Sequence, residues 1–256
     1  ADPVRSVRQG LERVTDGDLD VEIPVYDGSE VGLLQDGFNR MVEGLRERER
    51  LRDVFGRHVG TAVAAEAVDN STLGGGVRDV AVLFVDIVAS TRLAADNPPD
   101  HVVDVLNRFF TVVVTTVDEH GGWINKFQGD AALAIFGAPG PHEDPAGCAL
   151  AAGRELARRL AVEVPDCRAG IGIAAGPAVA GNIGAEERFE YTVIGDPVNE
   201  AARLTELAKD APGGLLASGS AVGAAPAEEA ARWQATDTLV LRGRTAPTVL
   251  HLPREV

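Results

Sequence analysis

The sequence predicts an α+β fold, one sheet covered by helices, with a short all-helical segment ahead of it. Three observations point there. Val80 to Thr91 opens as a short apolar run rich in β-branched residues, the pattern of a strand buried on both faces. Trp123 to Phe136 holds two apolar runs flanking Gln128-Gly129-Asp130, a hairpin signal in which glycine supplies the difficult backbone angles. Stretches of helical period lie between these strands and after them, so helices and hairpins interleave.

The elements follow in order. Val4, Val7, Leu11 and Val14 form a heptad-like stripe after Pro3, which suits the first turn of a helix. Thr15-Asp16-Gly17-Asp18 ends that helix, and Val21, Ile23 and Val25 alternate in an extended connector. A second helix starts near Glu30, with Leu34, Phe38, Met41 and Leu45 at near-heptad spacing. Helices this short bury little alone, so pairing across chains is expected; a helical hairpin packed on the body of the protein is the alternative. Arg46 to Arg52 is a charged, solvated helix face that continues through Val54, Phe55 and Val59 as a connector. The glycine-rich stretch Asp69 to Gly76 sets the domain boundary just before the Asp86 strand.

Pro98 to Glu119 reads as a long helix with Val102, Val105, Leu106, Phe109, Val112 and Val113 facing in. Asp144-Pro145 gives an N-cap and a first-turn proline for a helix to about Leu160, and His142-Glu143-Asp144 belongs to that loop and cap. Residues 168 to 183 read as two strands around Gly176-Pro177, Glu190 to Ile194 as another, and Pro197 to Ala208 as a helix. Further strands are expected near 215–218, 237–241 and 248–252.

Composition narrows the function. The 256 residues suffice for one large domain or a domain plus an accessory segment, and 45% hydrophobic content supports a packed core. A net charge of −15 argues against nucleic acid and against a polybasic membrane contact, so an anionic nucleotide would need a local cluster of Lys and Arg. Cys148 and Cys167 have no metal-binding spacing and read as reduced thiols in a cytosolic setting. The chain holds no membrane-length apolar run and no signal peptide. It starts at Ala1, with Met41 its only methionine, which suggests an excised piece of a longer protein.

Asp86 interrupts its buried strand, and a carboxylate there is costly without a compensating charge. A bound cation would supply that charge; an Arg or Lys, or exposure at the strand's end, is the plainer partner. If the hairpin pairs beside this strand, Asp130 meets Asp86, and two such carboxylates favour Mg²⁺ or Mn²⁺ with a nucleoside triphosphate. Asp130 serving only the turn is the alternative. Asn199 and Arg203, four residues apart, share a helix face, an amide beside a fixed cation; a capping Asn and a surface Arg fit the same spacing.

Two resemblances sharpen these expectations. Pro3, Gly17-Asp18-Leu19 and Glu30-Val31-Gly32 resemble a HAMP domain, the parallel four-helix linker that follows the last membrane helix of bacterial receptors. Tyr191-Thr-Val-Ile-Gly-Asp-Pro-Val-Asn-Glu-Ala-Ala-Arg-Leu204, taken with Asp86, Lys126 and Asp130, resembles a class III nucleotidyl cyclase catalytic domain, mycobacterial-like in its arrangement. The division implied is HAMP over 1–50, a connecting helix and linker over 51–76 and the cyclase domain over 77–253.

The cyclase resemblance implies a ferredoxin-like βαββαβ core with extra strands and a head-to-tail homodimer with its sites at the interface. It implies Asp86 and Asp130 as ligands of two Mg²⁺ or Mn²⁺ ions, with the Ile87 carbonyl added. Lys126 would read the purine, and Thr192 would stand where mammalian-type relatives carry an aspartate that accepts from the adenine amino group. Asn199 and Arg203 would orient the ribose and stabilise the transition-state phosphate. Arg242 or Arg244 would grip the terminal phosphates, the Arg-Gly-Arg repeat leaving the register open. No side chain presents itself as general base.

The activity implied is conversion of ATP to cyclic AMP and pyrophosphate, in the cytoplasmic part of a membrane protein whose upstream sensor acts through the HAMP linker. A guanylyl cyclase is disfavoured by Lys126, since guanine-selective relatives usually carry an acid there. A catalytically silent module would lack a key residue, and none is missing. A diguanylate cyclase would need a Gly-Gly-Asp/Glu-Glu-Phe run, which does not occur.

Overall fold

The computed structural model describes residues 3–25, 27–60 and 72–254, and the chain divides into two compact units, Ala1–Ala64 and Ala65–Val256. The start of the boundary stretch, at residues 69–71, lies outside the described residues, as do the side chains of Phe55 and Val59 in the connector.

In the first unit an extended connector joins α1 (Pro3–Thr15) to α2 (Glu30–Val59). Gly17, at φ 86°, closes α1, and the Ser29 side chain caps α2 by accepting from the Gly32 N–H. Asn39 pins the connector by bonding both backbone groups of Ile23, at 2.9 and 2.8 Å. Val7, Val21, Ile23, Phe38 and Val42 then make a small core. The heptad-like stripes divide over it. Val7 and Phe38 turn inward, whereas Val4, Leu11, Leu34 and Met41 are exposed. Each helix therefore has a second apolar face that this unit does not cover.

The second unit starts with β1 (Gly74–Ile87), α3 (Ser90–Asp96), α4 (Pro99–Glu119), β2 (Trp123–Gln128), β3 (Ala131–Phe136), α5 (Pro145–Glu163) and β4 (Ala169–Ala185). It continues with β5 (Arg188–Ile194), α6 (Asp196–Ala208), β6 (Leu215–Ser218), α7 (Gly219–Ala224), α8 (Ala227–Ala230), β7 (Trp233–Leu239) and β8 (Thr248–Pro253). One sheet runs β2-β3-β1-β4-β6-β8-β7, with β5 added to β4. β1 is antiparallel to both β3 and β4, and β4 is parallel to β6. With α4 after β1 and α5 after β3, the first four strands form the expected ferredoxin-like βαββαβ core.

Two strands depart from expectation. The two strands expected over 168 to 183 are one, Ala169–Ala185, because β1 continues opposite the Gly176-Pro177 break and its ladder holds the chain extended through it. The strand expected at 237–241 starts at Trp233, whose buried ring and Nε1–H bond to Glu229, 3.0 Å, anchor it to the core. The short helices α3, α7 and α8 had no periodic signal.

Side-chain alternation along β1 gives the sheet two apolar faces. Leu83, Val85 and Ile87 pack with Phe109, Leu150 and Leu156 of α4 and α5, while Val80 and Val82 pack with Ala201 and Leu204 of α6. α6 lies unusually close to β4. A Cβ on Gly172 would sit 2.3 Å from the Ala201 carbonyl oxygen, and one on Gly170 2.4 Å from that of Thr205. That approach lets the Thr205 hydroxyl donate to the Phe84 carbonyl at 3.0 Å.

Candidate active site

β1 delivers an acid to the α6 side of the sheet. Leu83, Val85 and Ile87 point towards α4 and α5, so the alternation sends Phe84 and Asp86 the other way. The hairpin brings a second acid. Gln128 pairs with Ala131, which leaves Gly129, at φ 67°, and Asp130 as the two turn residues. Asp86 lies opposite Ala131 in the β1–β3 ladder, so Asp130 arrives beside it.

Burial pushes the Asp86 carboxyl above its ordinary value, the Lys209 ammonium pulls it back, and the charge of Asp130 raises it again. The balance is a carboxylate that needs a cation. Lys209, which ends α6, supplies one: its Nζ lies 2.6 Å from Asp86 Oδ2 and 3.0 Å from Glu206 Oε1. The Asp86 and Lys209 side chains are only 17% and 20% exposed. Burial opposes the charge on Lys209, but the two carboxylates hold its ammonium above its usual value. The plainer partner for Asp86, a basic side chain, is thus present. No sequence signal marks it, because it lies 123 positions away with no motif around it.

Among the described residues no three His, Cys, Asp or Glu side chains gather as a metal-holding group. Two adjacent carboxylates are nonetheless a donor set that suits a Mg²⁺-type ion when substrate phosphates and water complete its shell. The Ile87 side chain is buried, so only its main chain is left to contribute.

A second constellation forms where β2 faces β5. The β2–β3 register pairs Ile124 with Ala134 and Lys126 with Leu133, which leaves Asn125 as the extra residue of a β-bulge. Consecutive strand residues ordinarily point to opposite faces, yet here both reach β5. Lys126 Nζ lies 2.9 Å from Glu190 Oε1. Asn125 Nδ2 donates to the Tyr191 carbonyl at 2.9 Å, and the Thr192 hydroxyl is 3.2 Å from Asn125 Oδ1. Lys126 and Thr192 are therefore both engaged between β2 and β5, each through a neighbour that no sequence signal marked, Glu190 for Lys126 and Asn125 for Thr192.

α6 presents the third group. Ala201, Leu204, Thr205 and Ala208 are buried, so Asn199 and Arg203 share its exposed side. Arg244 is committed elsewhere. Its guanidinium bonds Asp196 at 2.9 and 2.6 Å and also contacts buried Glu200 and Thr248. Those hydrogen bonds, chiefly to Asp196, hold it above the usual arginine range. Arg242 is exposed. Among the described residues no hydrogen bond or ion pair joins Asp86 or Asp130 to Lys126, Thr192, Asn199 or Arg203.

The family model described as "Adenylate and Guanylate cyclase catalytic domain" matches residues 75–250, and that of the HAMP domain matches residues 1–47. Two proteins of Mycobacterium tuberculosis, both named only as uncharacterized, are each 59% identical over 254 residues. The match covers 99% of this chain but 45% and 47% of theirs, so the chain spans about half their length. Among solved structures, the adenylyl cyclase CyaB from P. aeruginosa superimposes with TM-score 0.63 at 24% identity, covering 70% of this chain and 95% of that one. The guanylyl cyclase Cya2 does so with TM-score 0.59 at 30% identity, covering 72% and 95%. A bacterial light-regulated adenylyl cyclase reaches TM-score 0.72 at 20% identity, covering 84% and 62%.

Proposed function

For a chain that belongs to the adenylate and guanylate cyclase catalytic domain family and carries a HAMP domain ahead of it, we propose that the reaction is conversion of ATP to 3′,5′-cyclic AMP and pyrophosphate. The observation that most supports ATP is that Lys126 and Thr192 both take part in the β2–β5 contact, Lys126 through Glu190 and Thr192 through Asn125, which puts a cation and a hydroxyl on one side of the sheet. An acid at position 126 would suit guanine instead.

Domains of this family generally use divalent metals, and Asp86 and Asp130 are the residues that would hold them, with the Ile87 main chain. Bound there, Mg²⁺ or Mn²⁺ would acidify the ribose 3′-hydroxyl and neutralise the triphosphate. Lys209 would have to yield Asp86, with Glu206 as its remaining partner. Asn199 orients the ribose, and Arg203, exposed on the same helix side, meets the charge that develops on the α-phosphate. Arg242 takes the terminal phosphates, since Arg244 is held by Asp196 and Glu200. Positioning and charge neutralisation then supply most of the rate.

In this reading the acid pair and the Lys126–Thr192–Arg203 set serve different sites, each completed by the other protomer of a homodimer. The exposed faces of α1 and α2 would pair in the same dimer, with 51–76 linking residues 1–50 to a catalytic domain over 77–253. Among the described residues no helix is long and apolar enough to cross a membrane; a membrane sensor would precede this segment.

The test is cyclic nucleotide formation from ATP and from GTP with Mn²⁺, across a range of protein concentrations, beside Asp86→Ala. Cyclic AMP that requires Asp86 and rises in specific activity with concentration is expected. Cyclic GMP instead would overturn the base assignment, and no product from a proven dimer would overturn the enzyme.

A further inference from the structure

We infer that Asn125 is a specificity-determining positioning residue: it fixes the direction of the Thr192 hydroxyl so that the site accepts a base with a 6-amino group and refuses one with a 6-oxo group. The inference rests on the reading of Lys126 and Thr192 as the base site, and adds which residue makes threonine selective.

A threonine hydroxyl alone cannot distinguish adenine from guanine, because it both donates and accepts. Adenine offers an amino donor at position 6 where guanine offers a carbonyl acceptor, so an unconstrained hydroxyl can rotate to satisfy either. Here the hydroxyl is constrained. The Tyr191 carbonyl can only accept, so the Asn125 atom 2.9 Å from it must be the amide nitrogen. That orientation is chemically forced, and it turns the Asn125 carbonyl oxygen towards Thr192. The Thr192 hydroxyl, 3.2 Å away, must then donate its one proton to Asn125. Only lone pairs remain for a ligand.

The bulge makes the arrangement possible. Asn125 is the unpaired residue between Ile124 and Lys126 in the β2–β3 register. Without that extra residue, Asn125 and Lys126 would face opposite sides of the sheet, and one of them would leave β5. Glu190 anchors the lysine of this pair at 2.9 Å as Tyr191 anchors the asparagine.

The experiment compares kcat/KM for three nucleotides: ATP, inosine triphosphate, which has a 6-oxo group, and purine riboside triphosphate, which has no 6-substituent. Each is run on the unaltered protein, Asn125→Ala and Thr192→Val. A ratio between nucleotides is independent of how much of a variant folds, so it separates specificity from stability. The unaltered protein should favour ATP over inosine triphosphate on the order of tenfold or more, the scale of one hydrogen bond. Asn125→Ala should bring that ratio close to one, chiefly by admitting inosine triphosphate, with the fall in its KM larger than any change in kcat. Thr192→Val should instead erase the preference for ATP over purine riboside triphosphate. If Asn125→Ala keeps the ATP preference, the inference is overturned and the base-site reading stands. If the unaltered protein shows no ATP preference, the base-site reading itself fails. Should Asn125→Ala turn over no nucleotide, displacement of a fluorescent nucleotide by the same three compounds yields the same ratio, and a retained ATP preference overturns the inference there too.

Discussion

Arg242 and Arg244 share an Arg-Gly-Arg repeat but not a task. Arg244 spans Asp196 at the start of α6 and Glu200 one turn on, and Glu200 is 5% exposed and also takes the Thr248 hydroxyl at 2.6 Å. Arg244→Ala would strand that buried carboxylate, a change that typically costs about 3–5 kcal/mol. Arg242→Ala should leave stability within about 0.5 kcal/mol, as expected for an exposed side chain that makes no hydrogen bond or ion pair among the described residues. Under the proposed reaction it should instead lower kcat/KM for ATP on the order of tenfold. Thermal unfolding and steady-state kinetics on both variants test the division; an Arg244→Ala protein as stable as the parent would refute it. The repeat hides this in the sequence, where either register is equally good. The acid pair is more legible, since a strand, a glycine turn and two aspartates leave few ways to pair. Its lysine is not, because a contact across 123 positions has no local signature.

At the scale of elements, α5 contains a charge cluster with a clear pH dependence. Glu155 bonds Arg158 at 2.9 and 2.7 Å and Arg159 at 2.8 Å, which hold its carboxyl down to about 2. The folded value lies below the unfolded one, so the stabilisation is present above about pH 4.5 and disappears as pH falls through about 2. Arg158 is exposed, and solvent screening limits the effect to roughly 1 kcal/mol. Glu155→Gln should therefore lower the urea midpoint at pH 7, and the difference should shrink steadily between pH 4.5 and 2; a gap unchanged at about pH 2 would count against the pairing. The helix itself is readable from Asp144-Pro145, and that cap is present, with Asp144 Oδ1 accepting from the Gly147 N–H at 2.8 Å. β4 differs from its sequence expectation for a physical reason. A Gly-Pro pair ends a strand only when no neighbouring ladder carries it through. The β2 bulge has no sequence signal either, because it is defined by the register of a partner strand rather than by composition.

Across the whole molecule, the residues proposed for the site stay divided within one chain. Asp86 and Asp130 sit where β1 meets the hairpin turn, whereas Lys126 reaches Glu190 of β5, Thr192 lies on β5 itself and Arg203 faces outward from α6. Under the proposed function both sets are present in every copy, so a two-fold dimer that crosses them would make two sites and a monomer none. Asp86→Ala and Arg203→Ala should each be inactive, because each homodimer lacks one component in both sites. Mixed in equal amounts and allowed to exchange, half of the dimers should be hybrid. In a hybrid, one site receives both damaged residues and the other neither, so about a quarter of the parent activity should return. Cyclic AMP measured against mixing ratio, with the maximum at equal proportions, is the readout. If the mixture stays silent while labelled subunits demonstrably exchange, each site is built within a single chain.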